Sequence, residues 1–456
     1  MSRKRLSLGI GAYALDKVVV SIVQIVTVPV LANAWGLTLY GIWAIVMTIP
    51  SFLALGDFGI VNSAGARMIG FISREEWDSA RATLHTAWLA SLSIILLAAL
   101  AIGATLLVLP VGVAPTTAGF DEYDSRATLM ILLIYGLLTI VFRLNTAAFR
   151  AALRYSMASL CSTSVYLFEN LAVVALVLLG HGPLIAAIGL LAVRLVWICG
   201  LLVLSHLHLP RLQPGFAAAS RSEWMHMWRP ALAASALGFG LAGYLQGSVM
   251  LLGAVAGPAA VPAFIAVRTL SRLGVQLATL VSLPVMQEFG NAVGKSDNYR
   301  AGRYFGLVAI IGMLQAGLMA VGLVAVGQLF ITIWTRGAII ADQNLIIFMA
   351  ISSFAAMFWN PLSNLILAIN RQQAFSYANL VVSAVGLILI WLTAPAMGAA
   401  GAGLSFAIVD IVTLAAVVLF IARNWLGDSQ FRRGISATAR ELRSPLAMLR
   451  SLKNAV

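Results

Sequence analysis

The chain has 456 residues, 61% of them hydrophobic and 10% charged, against about 45–50% apolar and about 25% charged in ordinary soluble domains. Those proportions exclude a soluble enzyme. The apolar residues fall in successive runs of about twenty, each able to cross a hydrocarbon layer of about 30 Å, so the chain reads as an all-α polytopic membrane protein. The formal charge of +13, from 29 Lys+Arg against 16 Asp+Glu, then suggests cytoplasmic loops and no nucleic-acid partner.

Breaking the runs at charges, Gly/Pro clusters and polar strings predicts about twelve transmembrane helices, near 8–34, 39–65, 82–110, 127–149, 156–179, 183–205, 229–252, 258–287, 303–333, 343–369, 374–395 and 398–424. The first run, after Arg3-Lys4-Arg5, is too long for a signal peptide and is expected to be retained as a span. Cys161 and Cys199 lie inside apolar runs and read as small buried hydrophobes, with no disulfide framework and no metal site implied.

Placing both termini in the cytoplasm gathers Arg67, Arg74, Arg81, Arg150, Arg154, Arg211, Arg221, Arg229, Lys295, Arg300, Arg303, Arg371 and the basic tail on one side. Arg126 and Arg336 are left on the other, with the acidic string Asp121-Glu122-Tyr123-Asp124. This loop bias orients the chain as positive-inside, with both termini cytoplasmic.

An offset of 221 residues sets Leu31 on Leu252, Gly36 on Gly257 and Trp43 on Phe264; an offset of 216 sets Gly182 on Gly398 and Arg194 on Asp410. The chain therefore reads as a duplication, with six helices in each of two lobes of the same orientation. The expected boundaries are 1–210 for the first lobe, 211–228 for a cytoplasmic linker, 229–424 for the second lobe and 425–456 for a basic tail. Leu442, Leu446, Leu449 and Leu452 in that tail have near-helical spacing. The tail reads equally as an amphipathic helix on an anionic leaflet or as a frayed topogenic segment.

Ionisable side chains inside apolar runs normally face a wet cavity or a partner. Here they are Asp16, Lys17, Asp57, Arg143, Glu169, Arg194, Arg268, Arg272 and Asp410. Arg268 and Arg272 are four apart, hence on one helical face about 6 Å from each other along the axis. Guanidinium groups bind phosphate oxygens bidentately. With Lys17 and Arg143 they are candidates for holding a diphosphate; the alternative is that these cations pair internally with Asp16, Glu169 or Asp410.

Asp16, Glu169 and Asp410 are candidates for coupling to a proton or sodium ion, Glu169 reading equally as an interhelical hydrogen-bonding group toward Asn170 or Ser164. Arg194 and Asp410, at matching repeat positions, read as a structural ion pair, and Asp57 as a second structural charge. Asp16 points about 100° away from Lys17 around the helix and need not neutralise it. Asn360-Pro361 and Pro284 read as hinges or as simple kinks. No catalytic spacing and no nucleotide-binding loop occurs, so the chain reads as neither enzyme nor cofactor protein.

The run Leu31–Arg67, "LANAWGLTLYGIWAIVMTIPSFLALGDFGIVNSAGAR", resembles the beginning of Wzx-type polysaccharide flippases of the multidrug/oligosaccharidyl-lipid/polysaccharide (MOP) exporter superfamily. The shared elements are Gly36, Tyr40-Gly41 and Asp57-Phe58-Gly59. "VPAFIAVRTLSRLGVQLATLVSLPVM" and "GAAGAGLSFAIVD" resemble the family's eighth and last helices, although Pro262-Ala263-Phe264 replaces a Tyr-containing string.

The resemblance implies two six-helix lobes around a central cavity and alternating-access transfer of an undecaprenyl-diphosphate-linked oligosaccharide to the outer leaflet, for O-antigen, exopolysaccharide or capsule synthesis. It also implies contact with membrane lipid and with polysaccharide polymerase partners. Two other readings stand beside it. A multidrug and toxin extrusion (MATE-like) antiporter would want acidic side chains as its main accessible charges. A non-transporting membrane scaffold would have its internal charges paired and dry.

Overall fold

The structure is a computed structural model that describes residues 3–55, 57, 59–108, 120–368 and 373–441. Every regular element among them is helical: α1 Arg3–Val46, α2 Thr48–Leu55, α3 Ile60–Ser73, α4 Trp77–Val108, α5 Glu122–Ala151, α6 Tyr155–Leu178, α7 Pro183–His208, α8 Arg221–Ala256, α9 Val261–Gly294, α10 Asn298–Trp334, α11 Gln343–Ala368, α12 Gln373–Met397, α13 Ala399–Ile421 and α14 Ser429–Glu441. Ten helical stretches among the described residues are long and apolar enough to cross a membrane. The first, Leu15–Ala54, is broken at Gly36 (φ 71°), and the 34-residue α9 stands beside the ten. Ten therefore stand against the twelve that the hydropathy pattern predicts, the difference lying in the first two predicted spans, which run together across Gly36, and in α9, which carries Arg268 and Arg272.

The breaks have local causes. Gly36 (φ 71°) and Gly257 (φ 86°), matched by the repeat, both hold left-handed backbone that a side chain would strain. Leu31 and Leu252, and Trp43 and Phe264, are all buried. The second predicted span is interrupted between α2 and α3, where Asp57 Oδ1 accepts the Gly59 N–H at 3.1 Å and Gly59 takes φ 74°. Elsewhere acidic side chains start helices by accepting an amide three residues on: Asp121 from Asp124 (2.8 Å) for α5, and Asp297 from Arg300 (3.0 Å) for α10. At Pro361 α11 continues without a break.

The chain divides into two compact units, Met1–Gly253 and Ala254–Val456. In the first, α5 packs on α7, α2 and α3, α1 packs on α6, and α3 packs on α4. Phe142, Phe149, Met68, Leu84 and Met227 are buried in its core. The division falls at Gly253, so nearly all of α8 belongs with the first unit rather than opening the second. Polar contacts at its start explain this: Glu223 takes a hydrogen bond from Arg67 (2.8 Å) and one from Thr83 (2.9 Å), and Ser63 donates to the Met227 carbonyl.

The stretch between α7 and α8, expected as a linker, is pinned to α4. His85 bridges the Gln213 carbonyl (3.1 Å) and the Ala218 amide (3.0 Å), Thr86 accepts from the Ser220 amide, and Trp88 meets Phe216 edge-on.

In the second unit α11 is central, packing on α9, α10 and α13, while α13 also packs on α12. Of the α11 apolar window 67% is buried, against 22–44% in the other spans. Within the described part of the tail, α14 docks on the start of α10 through Phe431, Gly434 and Thr438. Gly302 and Gly434 allow it: a Cβ on either would collide with backbone of the opposing helix. The tail leucines Leu442, Leu446, Leu449 and Leu452 lie outside the described residues.

Candidate functional site

In the first unit, helix spacing brings three chemistries to the middle of the spans. Arg194 on α7 donates from Nε to Glu169 Oε1 on α6 at 2.6 Å and from Nη2 to Oε2 at 2.9 Å. Tyr135 on α5 donates its hydroxyl to Glu169 Oε2 (2.9 Å) and accepts from Arg194 Nη2 (2.7 Å). The guanidinium also lies over the Tyr135 and Phe142 rings, at 4.7 and 5.2 Å from their centroids.

This corrects two expectations. The carboxylate partner of Arg194 is Glu169, and the matched Asp410 has its own partners in the second unit. Glu169 engages neither Asn170 nor Ser164; Asn170 donates instead to the Tyr166 carbonyl. Both corrections have one cause. Repeat position fixes where a residue stands in its own lobe, whereas an ion pair forms with whichever opposite charge a neighbouring helix presents at the same depth.

The second arrangement lies at the α2–α3 break. Arg143 on α5 donates to the Ala54 carbonyl near the end of α2, and its Nη1 stands 3.4 Å from Asp57 Oδ2. The Asp57 side chain is 4% exposed and that of Arg143 32%. The carboxylate is therefore sealed, while the arginine side chain is partly exposed.

The third arrangement is on α1. Lys17 Nζ lies 3.2 Å from Asp16 Oδ2, so the neighbours do pair despite their separation around the helix, because the four-carbon stem of lysine reaches back. Thr163 donates to Asp16 Oδ1 at 2.8 Å.

In the second unit, Arg268 and Arg272 are both half-buried on α9, with Arg268 over the Phe264 ring at 5.1 Å. Asp410 on α13 is buried and accepts from Ser352 on α11 and from the Trp359 indole (3.0 Å). Arg272 is near enough to act on it electrostatically.

The structure thus brings Asp57 to Arg143, Glu169 to Arg194, Asp16 to Lys17 and Asp410 within range of Arg272. Sequence reasoning missed Tyr135, Thr163, Ser352, Trp359 and the Ala54 carbonyl. A tyrosine in the middle of a predicted span was a signal for the first; the others are unremarkable until the helices are packed. The cysteines also differ from expectation: Cys161 is half-buried and Cys199 exposed, on a face of α7 that also exposes Val196 and Val203. Among the described residues no cluster of three or more His, Cys, Asp or Glu is assembled.

No sequence-family model and no curated protein matches the chain. Solved structures do. One is a multidrug resistance MATE transporter of the MOP superfamily in an inward-facing conformation, with TM-score 0.68 and 14% identity over 96% of this chain and 98% of that one. Another is the lipid II flippase MurJ in an inward closed conformation, with TM-score 0.71 and 13% identity over 94% and 91%. A third is the MATE multidrug transporter DinF-BH, with TM-score 0.63 and 15% identity over 93% and 96%. The likeness is one of fold: the chain shares the helical architecture of these solved transporters along nearly its whole length.

Proposed function

We propose that this chain is a flippase that moves an undecaprenyl-diphosphate-linked oligosaccharide from the cytoplasmic to the outer leaflet of a bacterial inner membrane, on the route to a surface polysaccharide. The observation that carries this reading is the sign of the reachable charge within the spans. Arg143, Arg268 and Arg272 are all half-buried, as is the Asp16–Lys17 pair, whose charges offset each other, whereas Asp57, Glu169, Asp410 and the internally paired Arg194 are buried. An antiporter of cationic drugs needs the opposite arrangement, with acids open and cations sealed. The open arginines suit a diphosphate, whose oxygens match the guanidinium fork. The shared fold of a lipid II flippase supports the same class of cargo.

In this reading Lys17, Arg143, Arg268 and Arg272 are the candidate contacts for the diphosphate. Asp16, Glu169 and Asp410 are the candidates for sensing a coupling ion. Both termini are cytoplasmic.

The test is a scramblase assay in proteoliposomes with a fluorescent undecaprenyl-diphosphate glycan, quenched from outside. Wild type should expose the inner pool, and R268A/R272A should slow this by about tenfold or more, the loss of a charge-assisted contact of about 1.5–3 kcal/mol. If wild type leaves the glycolipid in place and instead moves a cationic dye, the drug-antiporter reading replaces this one.

A further inference from the structure

We infer that α14 is an anionic-lipid sensor: a helix held off the bilayer by the protein, presenting a fixed arginine face to the headgroups of the leaflet around α10. Three observations support this, and none depends on the transported cargo.

The first is the seat. Phe431, Gly434 and Thr438 are buried against α10, Thr438 donates to the Arg303 carbonyl at 3.2 Å, and Phe431 stacks on Trp425 with ring centroids 6.0 Å apart. The apolar side of α14 is therefore used up inside the protein and is not left to insert into lipid, as an amphipathic anchor would.

The second is the face left outward. Arg432, Arg433, Ser436 and Arg440 lie within about 100° of one another around the helix, on the side away from Phe431, Gly434 and Thr438. The two acidic residues of the segment are already committed. Asp428 accepts from the Gln430 and Phe431 amides and from Asn298 Nδ2 (2.6 Å), and Glu441 pairs with Arg303 at 2.6 Å. Arg432 lies within electrostatic range of Asp428. The outward face nevertheless carries three positive charges and no carboxylate.

The third is depth. Among the described residues of α10, large apolar side chains are exposed from Met313 to Ile333, and before them only at Tyr299. That band is about 30 Å long, the thickness of a hydrocarbon core. Residues Tyr299 to Gly306, which seat α14, lie about 10–20 Å beyond its edge. This is where headgroups and their counterion layer begin, within reach of an arginine side chain and of order one Debye length of about 10 Å at moderate salt. Phosphate-bearing headgroups are the matching chemistry, since basic segments at that height are drawn to anionic leaflets.

The experiment uses the full chain with Cys161→Ala and Cys199→Ser, a dye on Ser436→Cys, and nanodiscs of phosphatidylcholine with a minor fraction of phosphatidylglycerol. Energy transfer is read from the dye to a headgroup-labelled phosphatidylglycerol or to a headgroup-labelled phosphatidylcholine. The expected result is at least about twofold enrichment of the anionic probe over the zwitterionic one at low salt, lost at about 1 M salt, where the Debye length falls to about 3 Å. R432Q/R433Q/R440Q should abolish the enrichment and R432K/R433K/R440K should keep it. Equal transfer from both probes, or enrichment that survives the glutamine substitutions with the melting temperature unchanged, overturns the proposal. Should the glutamine protein unfold, salt titration of the lysine protein decides: enrichment unaffected by salt also overturns it. Glycolipid transport is measured on the same samples, so failure here and failure of the flippase reading are told apart.

Discussion

Arg194 Nε lies 2.6 Å from Glu169 Oε1, joining α7 to α6 in the middle of two apolar spans, with the Tyr135 hydroxyl closing the network from α5. Both charged side chains are buried, so each depends on the other. Removing one leaves the other uncompensated in a low-dielectric interior, at a cost of about 3–5 kcal/mol, whereas replacing both with apolar groups costs far less.

The first prediction follows from that dependence. Arg194→Met and Glu169→Leu should each sharply shorten the half-life of the detergent-solubilised protein at elevated temperature. The double variant should recover most of the loss. Strictly additive effects of the two changes would show that the charges are not coupled.

A second prediction concerns the break between α2 and α3. Gly59 sits at φ 74°, so Gly59→Ala should destabilise by about 1–2 kcal/mol, the cost of left-handed backbone with a Cβ. Gly70 lies inside α3 with open space where a Cβ would stand, so Gly70→Ala should be neutral or stabilising by up to about 1 kcal/mol. Thermal unfolding of the two variants side by side checks the contrast, and equal melting temperatures would refute it.

His85 gives a third. Its Nε2 faces the Gln213 carbonyl and its Nδ1 accepts from the Ala218 amide, which specifies a neutral ring protonated on Nε2. His85→Ala should raise hydrogen exchange at the Ala218 amide by about tenfold, the equivalent of one hydrogen bond worth about 1.4 kcal/mol. Unchanged exchange in His85→Ala would show that the linker is held by Thr86 and Trp88 alone.

The fourth prediction is a pH dependence. Amide hydrogen bonding, first from Phe431, together with the Asn298 side chain, holds the Asp428 carboxyl below its ordinary value of 3.8. A depressed carboxylate stabilises the docked helix fully above that ordinary value and loses the contribution as pH falls through its own lower one. A nitroxide on Ser436→Cys should therefore report immobile α14 at neutral pH and release only below about pH 4. Asp428→Asn should be looser at neutral pH and lack the transition. Release beginning near neutrality would point to a different group.

Much of the architecture was legible in the residues. The apolar runs that became membrane-length helices, the glycines that break them at Gly36 and Gly257, and the sites of mid-span charge are one-body properties. Each depends on how a residue partitions between water, lipid and left-handed backbone, and that is written in its chemistry. Leu31 and Leu252, and Trp43 and Phe264, which the offset of 221 sets on one another, are all buried, as apolar side chains of that size favour.

Partners were not legible. Arg194 finds Glu169 and not Asp410, Lys17 folds back on Asp16, α8 is tied to the first unit through Glu223, and the basic tail docks by Phe431. An ion pair is a two-body property, requiring two helices to present opposite charges at one depth and one rotation within about 4 Å. Hydropathy averages over a helix and carries no rotation between helices. By itself, then, the sequence determined that this chain crosses a membrane repeatedly and where its charges sit. Only the tertiary structure decided which of those charges stand against one another, because that depends on how the helices are rotated and at what depth they meet.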